Sequence, residues 1–248
     1  MAELVQKNAI ITGANRGIGN AIVRKFAENG CNIWACARTC NKAFEEKMQQ
    51  IADQNGVQIW PVYFELSDFE QIKAAFKEIY KTKLPIDILV NAAGIVNTEL
   101  FQMTSIQEMR KVFDVNFFGP IQLTQLVLKT MTRQKSGSII NISSVAGQDA
   151  NPTNCTYGSS KSAINSFSRI LASEIGRLGI RVNVVAPGPT DTDMIERVKA
   201  KVGDSMLDRC AMERLAKPDE IAETVVFLAS DKASFINGQI IRVDGGAK

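Results

Sequence analysis

The chain reads Ala9-Ile10-Ile11-Thr12-Gly13-Ala14-Asn15-Arg16-Gly17-Ile18-Gly19, an apolar run that ends in three glycines spaced G-x-x-x-G-x-G. The run predicts a buried β-strand and the apolar periodicity after it predicts a helix, so the glycines lie in a strand-to-helix turn. Glycine lets a diphosphate approach the N–H groups at the helix N-terminus, where the dipole favours anions. A tight turn without a ligand is the alternative. The candidate cofactor-binding residues of the turn are Gly13, Asn15, Arg16, Gly17, Ile18 and Gly19.

Seven short apolar runs alternate with longer segments of helical periodicity. Parallel strands with right-handed helical crossovers form a doubly wound sheet, so we predict a single-domain α/β, Rossmann-type fold over residues 1–248, with a seven-stranded parallel sheet and helices on both faces. Segment 189–217 breaks the alternation at the carboxyl edge of the sheet, which predicts a lid over a ligand. The predicted strands are 9–13, 32–37, 59–65, 86–93, 138–144, 181–187 and 239–244.

Composition excludes several kinds of function. The chain has 248 residues, 45% hydrophobic and 22% charged, enough for one sizeable core. It has no histidine, which excludes Ser-His-Asp and Cys-His machinery and His-ligated metal sites. A net charge of +3 favours neither nucleic acid nor a membrane surface as a partner, and no apolar run approaches the ~20 residues of a membrane span. Five cysteines without a C-x-x-C pair, and no recognisable signal peptide, predict a reduced cytoplasmic protein.

The end of the second predicted strand indicates which dinucleotide binds. Nicotinamide adenine dinucleotide sites usually place an acid there to hold the ribose 2′-hydroxyl, but this chain reads Ala35-Cys36-Ala37-Arg38. Arg38 and Arg16 are able to grip a 2′-phosphate through charge-assisted hydrogen bonds, so we predict NADP(H) rather than NAD(H). The alternative for each arginine is a solvated surface charge.

Tyr157 and Lys161 lie four residues apart in a helical stretch, so their side chains share one helix face. A nearby ammonium stabilises phenolate, so we expect Lys161 to lower the pKa of Tyr157 and to make it a proton donor near neutral pH. Ser144 ends the fifth predicted strand, at the edge of the sheet where ligands bind in this architecture. The alternative is an exposed helical pair without chemistry.

Several ordered motifs together give the chain a family resemblance over essentially its whole length. They are the glycine turn, Asn91-Ala92-Ala93-Gly94, Asn116, Ser144, Tyr157 with Lys161, Pro187-Gly188 and Val243-Asp244-Gly245-Gly246. With this set the sequence resembles the short-chain dehydrogenase/reductases, and among them it is most similar to the 3-oxoacyl-[acyl-carrier-protein] reductases.

The resemblance implies a role for each matching residue. Tyr157 would be the general acid, Lys161 would bind the nicotinamide ribose and tune the tyrosine, Ser144 would hold the substrate carbonyl with Ser143 as the fallback, and Asn116 would order a water in a proton relay. Asn91 would support the strands near the cofactor. The remaining cofactor contacts implied are Ala92, Gly94, Pro187, Gly188, Thr190, Thr192 and, at the adenine edge, Glu65 and Leu66, where the family usually has Asp and an apolar residue.

Pro120 follows Asn116 by four residues and has no N–H, so within a helix the Asn116 carbonyl would lose its usual donor. A kink there would create an acceptor for a water at the reacting face. The alternatives are a bend due to packing alone, or a helix that restarts at this point.

The resemblance also implies partners. It implies a homotetramer built on helices 109–131 and 157–178, and a possible acyl carrier protein, for which Lys135 and Arg177 are candidate cations at the cavity entrance. Apolar lid residues would line a channel or pack a helix on the body or on another subunit. They are Met194, Ile195, Val198, Met206, Leu207 and Met212.

Three functions are weighed. The first is NADPH-dependent reduction of a 3-oxoacyl thioester, linked to acyl carrier protein or coenzyme A. The second is reduction of a free ketone, sugar, steroid or secondary metabolite. The third, a dinucleotide-binding regulator without turnover, is disfavoured because all four catalytic residue types are present.

Overall fold

The computed structural model describes residues 2–202 and 210–246. Seven parallel strands form one sheet in the order β3-β2-β1-β4-β5-β6-β7. The chain crosses over from one side of β1 to the other between β3 and β4, so a crevice opens at the carboxyl ends of β1 and β4. The strands are β1 (Asn8–Thr12), β2 (Asn32–Ala37), β3 (Ile59–Tyr63), β4 (Ile88–Asn91), β5 (Gly137–Ile142), β6 (Ile180–Pro187) and β7 (Ile240–Val243).

The sequence of β1 explains its central place. All five of its residues are buried, as a parallel strand covered on both faces requires. Ile10 of β1 is in register with Trp34 of β2 and with Leu89 of β4. The parallel doubly wound sheet predicted from the sequence is therefore confirmed. The predicted ends differ by up to two residues, because backbone pairing rather than hydrophobicity decides where a strand ends.

The helices cover both faces of the sheet. The core on one face contains buried residues of α1, α2 and α8, and the core on the other face contains residues of α3, α5 and α6. The helices are α1 (Gly17–Glu28), α2 (Lys42–Asn55), α3 (Phe69–Lys81), α4 (Ile106–Phe113), α5 (Gly119–Gln134), α6 (Cys155–Ile175), α7 (Asp193–Val202) and α8 (Pro218–Ala229). Within the described ranges no helix is long and apolar enough to cross a membrane.

The helix before Pro120 neither stops nor simply bends. A π-helical turn, Asp114–Phe118, joins α4 directly to α5, and the Gly119 N–H donates to the Asp114 carbonyl five residues back. Pro120 then lies in the first turn of α5, where its missing N–H costs least. The wider turn carries Asn116 on a continuous helix, and π turns of this kind concentrate at functional sites.

Candidate active site

A cavity of about 740 Å³ lies at the carboxyl edge of the sheet. Its walls come from the ends of β4, β5 and β6, from the first turns of α6, and from α7 in the predicted lid segment. The predicted site residues that line it are Ile18, Ala92, Gly94, Ser144, Tyr157, Lys161, Pro187, Gly188, Thr190 and Thr192.

The glycine turn is packed too tightly for side chains. Gly13 has a φ of +71°, and a Cβ on it would lie 2.9 Å from the Cα of Ala93. A Cβ on Gly19 would lie 2.1 Å from the Gly13 carbonyl oxygen. Gly17 faces Thr192, whose methyl carbon would be 3.2 Å from a Cβ. The turn therefore brings the N-terminus of α1 up to the cavity and against the start of the lid segment.

The N-terminus of α1 has the features of an anion-binding site. Arg16 is its N-cap residue and makes no side-chain capping hydrogen bond, and the first turn contains no acid. By contrast, Asn41, Asp68 and Ser105 cap α2, α3 and α4 with side-chain oxygens. Free N–H groups at a helix N-terminus that glycines open to a cavity suit a diphosphate, so the residues present fit a dinucleotide.

The cations predicted for the 2′-phosphate are both accessible. The Arg38 side chain is 74% exposed, and its Nε lies 3.8 Å from the Glu65 carboxylate. Arg16 donates to Asp193 of α7 at 3.0 Å. The Leu66 side chain is only 6% exposed and packs in the core with residues of α3, α5 and α6, so it offers little side-chain surface to an adenine.

The catalytic candidates converge on one wall of the cavity. The Ser144 hydroxyl is hydrogen-bonded to Tyr157 and also accepts from the Ala146 N–H at 3.1 Å. Ser143 lines the same cavity, but its hydroxyl donates to the Lys161 carbonyl at 3.3 Å. Of the two serines, Ser144 is thus the one whose hydroxyl contacts Tyr157.

Burial decides how Tyr157 and Lys161 titrate. Desolvation raises the pKa of Tyr157, and the hydrogen bond from Ser144 lowers it by less. Burial lowers the pKa of Lys161 to about 8. Its Nζ lies 5.8 Å from the Tyr157 ring centroid and donates to the Ile142 carbonyl at 2.9 Å. The predicted lowering of the Tyr157 pKa by Lys161 is not found: burial raises this pKa, and the effect that opposes burial is the hydrogen bond from Ser144.

Asn116 lies behind Lys161 rather than on the cavity wall. Its amide makes a reciprocal pair with the Ile95 backbone, accepting from the N–H and donating to the carbonyl at 2.9 Å each, and it also donates to the Ser160 hydroxyl at 3.0 Å. A Cβ on Gly94 would lie 3.3 Å from the Asn116 oxygen and 3.4 Å from the Lys161 Nζ. Asn116 and Lys161 are thus neighbours across Gly94, and the water between them stays a prediction.

Two buried polar residues hold the cofactor side of the cavity in place. Asn91 donates to Asn141 at 2.8 Å and to Thr124 at 3.2 Å, so it ties β4 to β5 and to α5, below the cavity wall. The Thr12 hydroxyl accepts from the N–H groups of Ala92 and Ala93 at 3.0 and 3.1 Å. Sequence reasoning did not single out Thr12, although its place directly before Gly13 was available as a signal.

The predicted carrier-docking cations do not lie at the cavity entrance of this chain. Lys135 precedes β5 and Arg177 precedes β6, so both lie at the amino edge of the sheet, whereas the cavity opens at the carboxyl edge. Since all strands are parallel, residues before strands and residues after them are a full strand length apart. The prediction that these two residues lie at the cavity entrance is therefore wrong for the cavity of their own chain.

The lid residues divide into three groups. Met194, Ile195 and Val198 of α7 line the cavity, whereas Met212 is largely exposed. Met206 and Leu207 lie outside the described residues. Where the chain is described, both ends of the lid segment are joined, because Asp191 and Pro189 exchange backbone hydrogen bonds with Ala216.

An ion pair at the rim of the cavity also escaped the sequence analysis. Asp149 lines the cavity in the loop after β5, and both of its oxygens accept from Arg242 of β7, at 2.7 and 2.9 Å. No periodicity or spacing links these residues, which are 93 positions apart.

Across the described ranges, no group of three or more Cys, Asp or Glu residues is arranged to hold a metal ion.

Comparison with known proteins agrees with this geometry. A family model described as "Enoyl-(Acyl carrier protein) reductase" matches residues 13–248. A 3-oxoacyl-[acyl-carrier-protein] reductase of Chlamydia trachomatis serovar D is 36% identical over 245 residues, which is 98% of each chain. A 3alpha-hydroxysteroid dehydrogenase of Mediterraneibacter gnavus is 37% identical over 248 residues, covering 99% of this chain and 98% of that protein.

A solved structure is similar along the whole fold. It is that of a protein from Beutenbergia cavernae assigned as an NAD(P)-dependent gluconate 5-dehydrogenase, with NADP bound at low occupancy. The two chains are 32% identical, with a TM-score of 0.92 and coverage of 98% of this chain and 97% of the other. The chain belongs to the short-chain dehydrogenase/reductase family, and it is an oxidoreductase acting on a carbonyl or a secondary alcohol.

Proposed function

We propose that the protein reduces a 3-oxoacyl thioester, linked to acyl carrier protein or coenzyme A, to the 3-hydroxyacyl form with NADPH. The observation that carries the proposal is the meeting of Ser144, Tyr157 and Lys161 on one wall of a cavity that also reaches the glycine turn. The similarity to 3-oxoacyl-[acyl-carrier-protein] reductases supports the choice of substrate.

The choice of NADPH as the cofactor is based on the residues around the glycine turn. The uncapped N-terminus of α1 holds the diphosphate, and Arg38 and Arg16 bind the 2′-phosphate once they exchange their contacts with Glu65 and Asp193 for it. Bound NADPH supplies the hydride. The bound NADP of the similar structure from Beutenbergia cavernae supports this assignment.

The protein supplies position and a proton. The hydroxyls of Ser144 and Tyr157 donate hydrogen bonds to the substrate carbonyl oxygen and stabilise its developing negative charge. Tyr157 then transfers its proton to that oxygen, a step worth about 100- to 10,000-fold in rate. A neutral phenol is required beforehand, and the raised pKa of Tyr157 keeps it protonated until the charge develops. Protons return to the phenolate past Lys161 through a water held beside Asn116.

The lid segment 189–217 closes over the substrate in this proposal. Met194, Ile195 and Val198 present apolar surface to the cavity, as an acyl chain requires. We also propose one continuous domain, a cytoplasmic location in keeping with five free cysteines, and a homotetramer. Exposed apolar residues such as Phe118, at 46% exposure, and Ile170, at 58%, support an assembly through helices 109–131 and 157–178. An acyl carrier protein would reach the cavity from the carboxyl edge of the sheet.

A second candidate is oxidation or reduction of a free hydroxyl or ketone on an apolar skeleton. The identity of 37% to a 3alpha-hydroxysteroid dehydrogenase, as high as that to the carrier-protein reductases, favours it.

The two candidates are separated by NADPH oxidation with acetoacetyl thioesters and with free ketones, run beside Tyr157→Phe. We expect the thioesters to give the higher kcat/KM and Tyr157→Phe to lose at least about 100-fold in rate. Higher kcat/KM for free ketones would refute the thioester proposal. Nucleotide binding without turnover on any carbonyl would support a regulator instead.

A further inference from the structure

Asp149 and Arg242 form an ion pair that neither the cofactor nor the proton transfer uses. The loop after β5 carries Asp149 into the cavity wall, while Arg242 lies on β7 opposite Ala186 of β6. The two terminal nitrogens of Arg242 each donate to one oxygen of Asp149, at 2.7 and 2.9 Å. This two-pronged geometry is the one by which arginine binds any carboxylate.

The guanidinium is held from behind as well. Its Nε donates to Asp244 at 2.6 Å, and the other oxygen of Asp244 accepts from the Gly246 N–H at 3.1 Å. The Asp244 side chain is only 10% exposed, whereas those of Asp149 and Arg242 are 34% and 32% exposed. Loss of Asp149 therefore leaves the guanidinium anchored on β7, with its two free nitrogens directed at the place that the Asp149 carboxylate has vacated.

The charges around the cavity determine whether the Asp149–Arg242 pair attracts an anionic substrate. Among the described lining residues, Asp149 and Lys161 are the only charged ones. Lys161 is buried and donates to the Ile142 carbonyl beside Tyr157. Two carboxylates around one guanidinium leave the Asp149 cluster with a net negative charge, so it attracts no substrate anion.

We propose that Asp149 is a specificity residue: it occupies the arginine fork that would otherwise bind a substrate carboxylate, and so restricts the cavity to carbonyl compounds that are uncharged at this end. An acyl thioester meets that restriction, and a keto acid or a sugar acid does not. The inference rests on the proposed function only in that a carbonyl compound binds in this cavity.

The test compares each keto acid with its own methyl ester, which has the same ketone and nearly the same shape without the charge. A series of 3-oxobutanoate, 4-oxopentanoate, 5-oxohexanoate and 6-oxoheptanoate moves the carboxylate progressively further from the ketone. The measured quantity is kcat/KM for the acid divided by kcat/KM for the ester. It is determined for the wild type, Asp149→Ala, the double variant Asp149→Ala with Arg242→Gln, and Glu78→Ala, which removes an acid from the exposed face of α3.

We expect Asp149→Ala to raise this ratio about 10- to 100-fold for at least one chain length, as two charge-assisted hydrogen bonds predict. The double variant should return to within about threefold of the wild type, and Glu78→Ala should leave the ratio unchanged. An unchanged ratio in Asp149→Ala across the series, or a gain that persists without Arg242, overturns the proposal. If Asp149→Ala does not fold, Asp149→Ser also removes the carboxylate and leaves the two terminal nitrogens of Arg242 open, and the same comparison applies.

A binding measurement separates this inference from the proposed reaction. Calorimetric titration of the same keto acids into the protein saturated with NADP⁺ detects the anion without turnover. Binding that is tighter in Asp149→Ala than in the wild type, and lost in the double variant, supports the inference even if thioesters prove to be poor substrates. Equal binding in all three proteins refutes it even if thioesters are good substrates.

Discussion

The buried amine of Lys161 makes the stability of the nucleotide-free protein depend on pH in a way that can be calculated. Its pKa falls from 10.5 in water to about 8 in the folded chain because burial disfavours the charge. Between these two values the unfolded chain binds more protons than the folded chain, so stability rises with pH through this window. At pH 7 the buried charge costs about 3 kcal/mol, at ~1.4 kcal/mol for each pKa unit, and at pH 9.5 less than half of that cost remains.

The assay is urea unfolding without nucleotide, for the wild type and Lys161→Met, at pH 7 and pH 9.5. Methionine has a similar length and no charge, so the free energy of unfolding of the variant does not include the pH-dependent cost of the buried charge. We expect the wild type to gain about 2 kcal/mol relative to the variant between the two pH values. As a control, Lys77→Met removes an exposed lysine of α3. Its free energy of unfolding should differ from that of the wild type by only a few tenths of a kcal/mol at either pH. A difference between wild type and Lys161→Met that does not vary with pH would show that this amine is not desolvated.

Three further predictions concern the cofactor and its support. Arg38→Asp should shift the kcat/KM preference from NADPH towards NADH by at least about tenfold, because an acid repels the 2′-phosphate; retained NADPH selectivity would contradict the assignment. Asn116→Ala should lower the free energy of unfolding by about 1–3 kcal/mol, since the partly buried N–H and carbonyl of Ile95 lose their partner, and a thermal melt measures this. Gly19→Ala should weaken NADPH binding at least tenfold in a fluorescence titration, because its Cβ would overlap the Gly13 carbonyl; unaltered affinity would mean that the turn is not the diphosphate site.

The sheet was predictable because it is built from local signals. Each strand is a short apolar run, each crossover shows helical periodicity, and parallel strands need those crossovers. The conjunction of Ser144, Tyr157 and Lys161 was also predictable, since residues after strands of a parallel sheet share one edge and residues four apart share a helix face. Thr192 beside Gly17 follows from the same edge rule.

Other features depend on where distant segments meet. The direction of the Tyr157 pKa shift follows from burial, whereas the four-residue spacing to Lys161 reveals only that an amine lies nearby. The misplaced docking cations, Lys135 and Arg177, show the same limit, because proximity along the chain to a strand does not tell which edge of the sheet a cavity faces.

The sequence by itself determined the order of elements, the glycine turn and the identity of the reacting side chains, because those depend on residue type and short spacing. Only the tertiary structure decided that a π turn carries Asn116, that burial raises the pKa of Tyr157, and that Asp149 forms an ion pair with Arg242. The physical reason is that desolvation and ion pairing depend on distances in three dimensions. Residues 93 positions apart come within hydrogen-bonding distance only when the chain has folded.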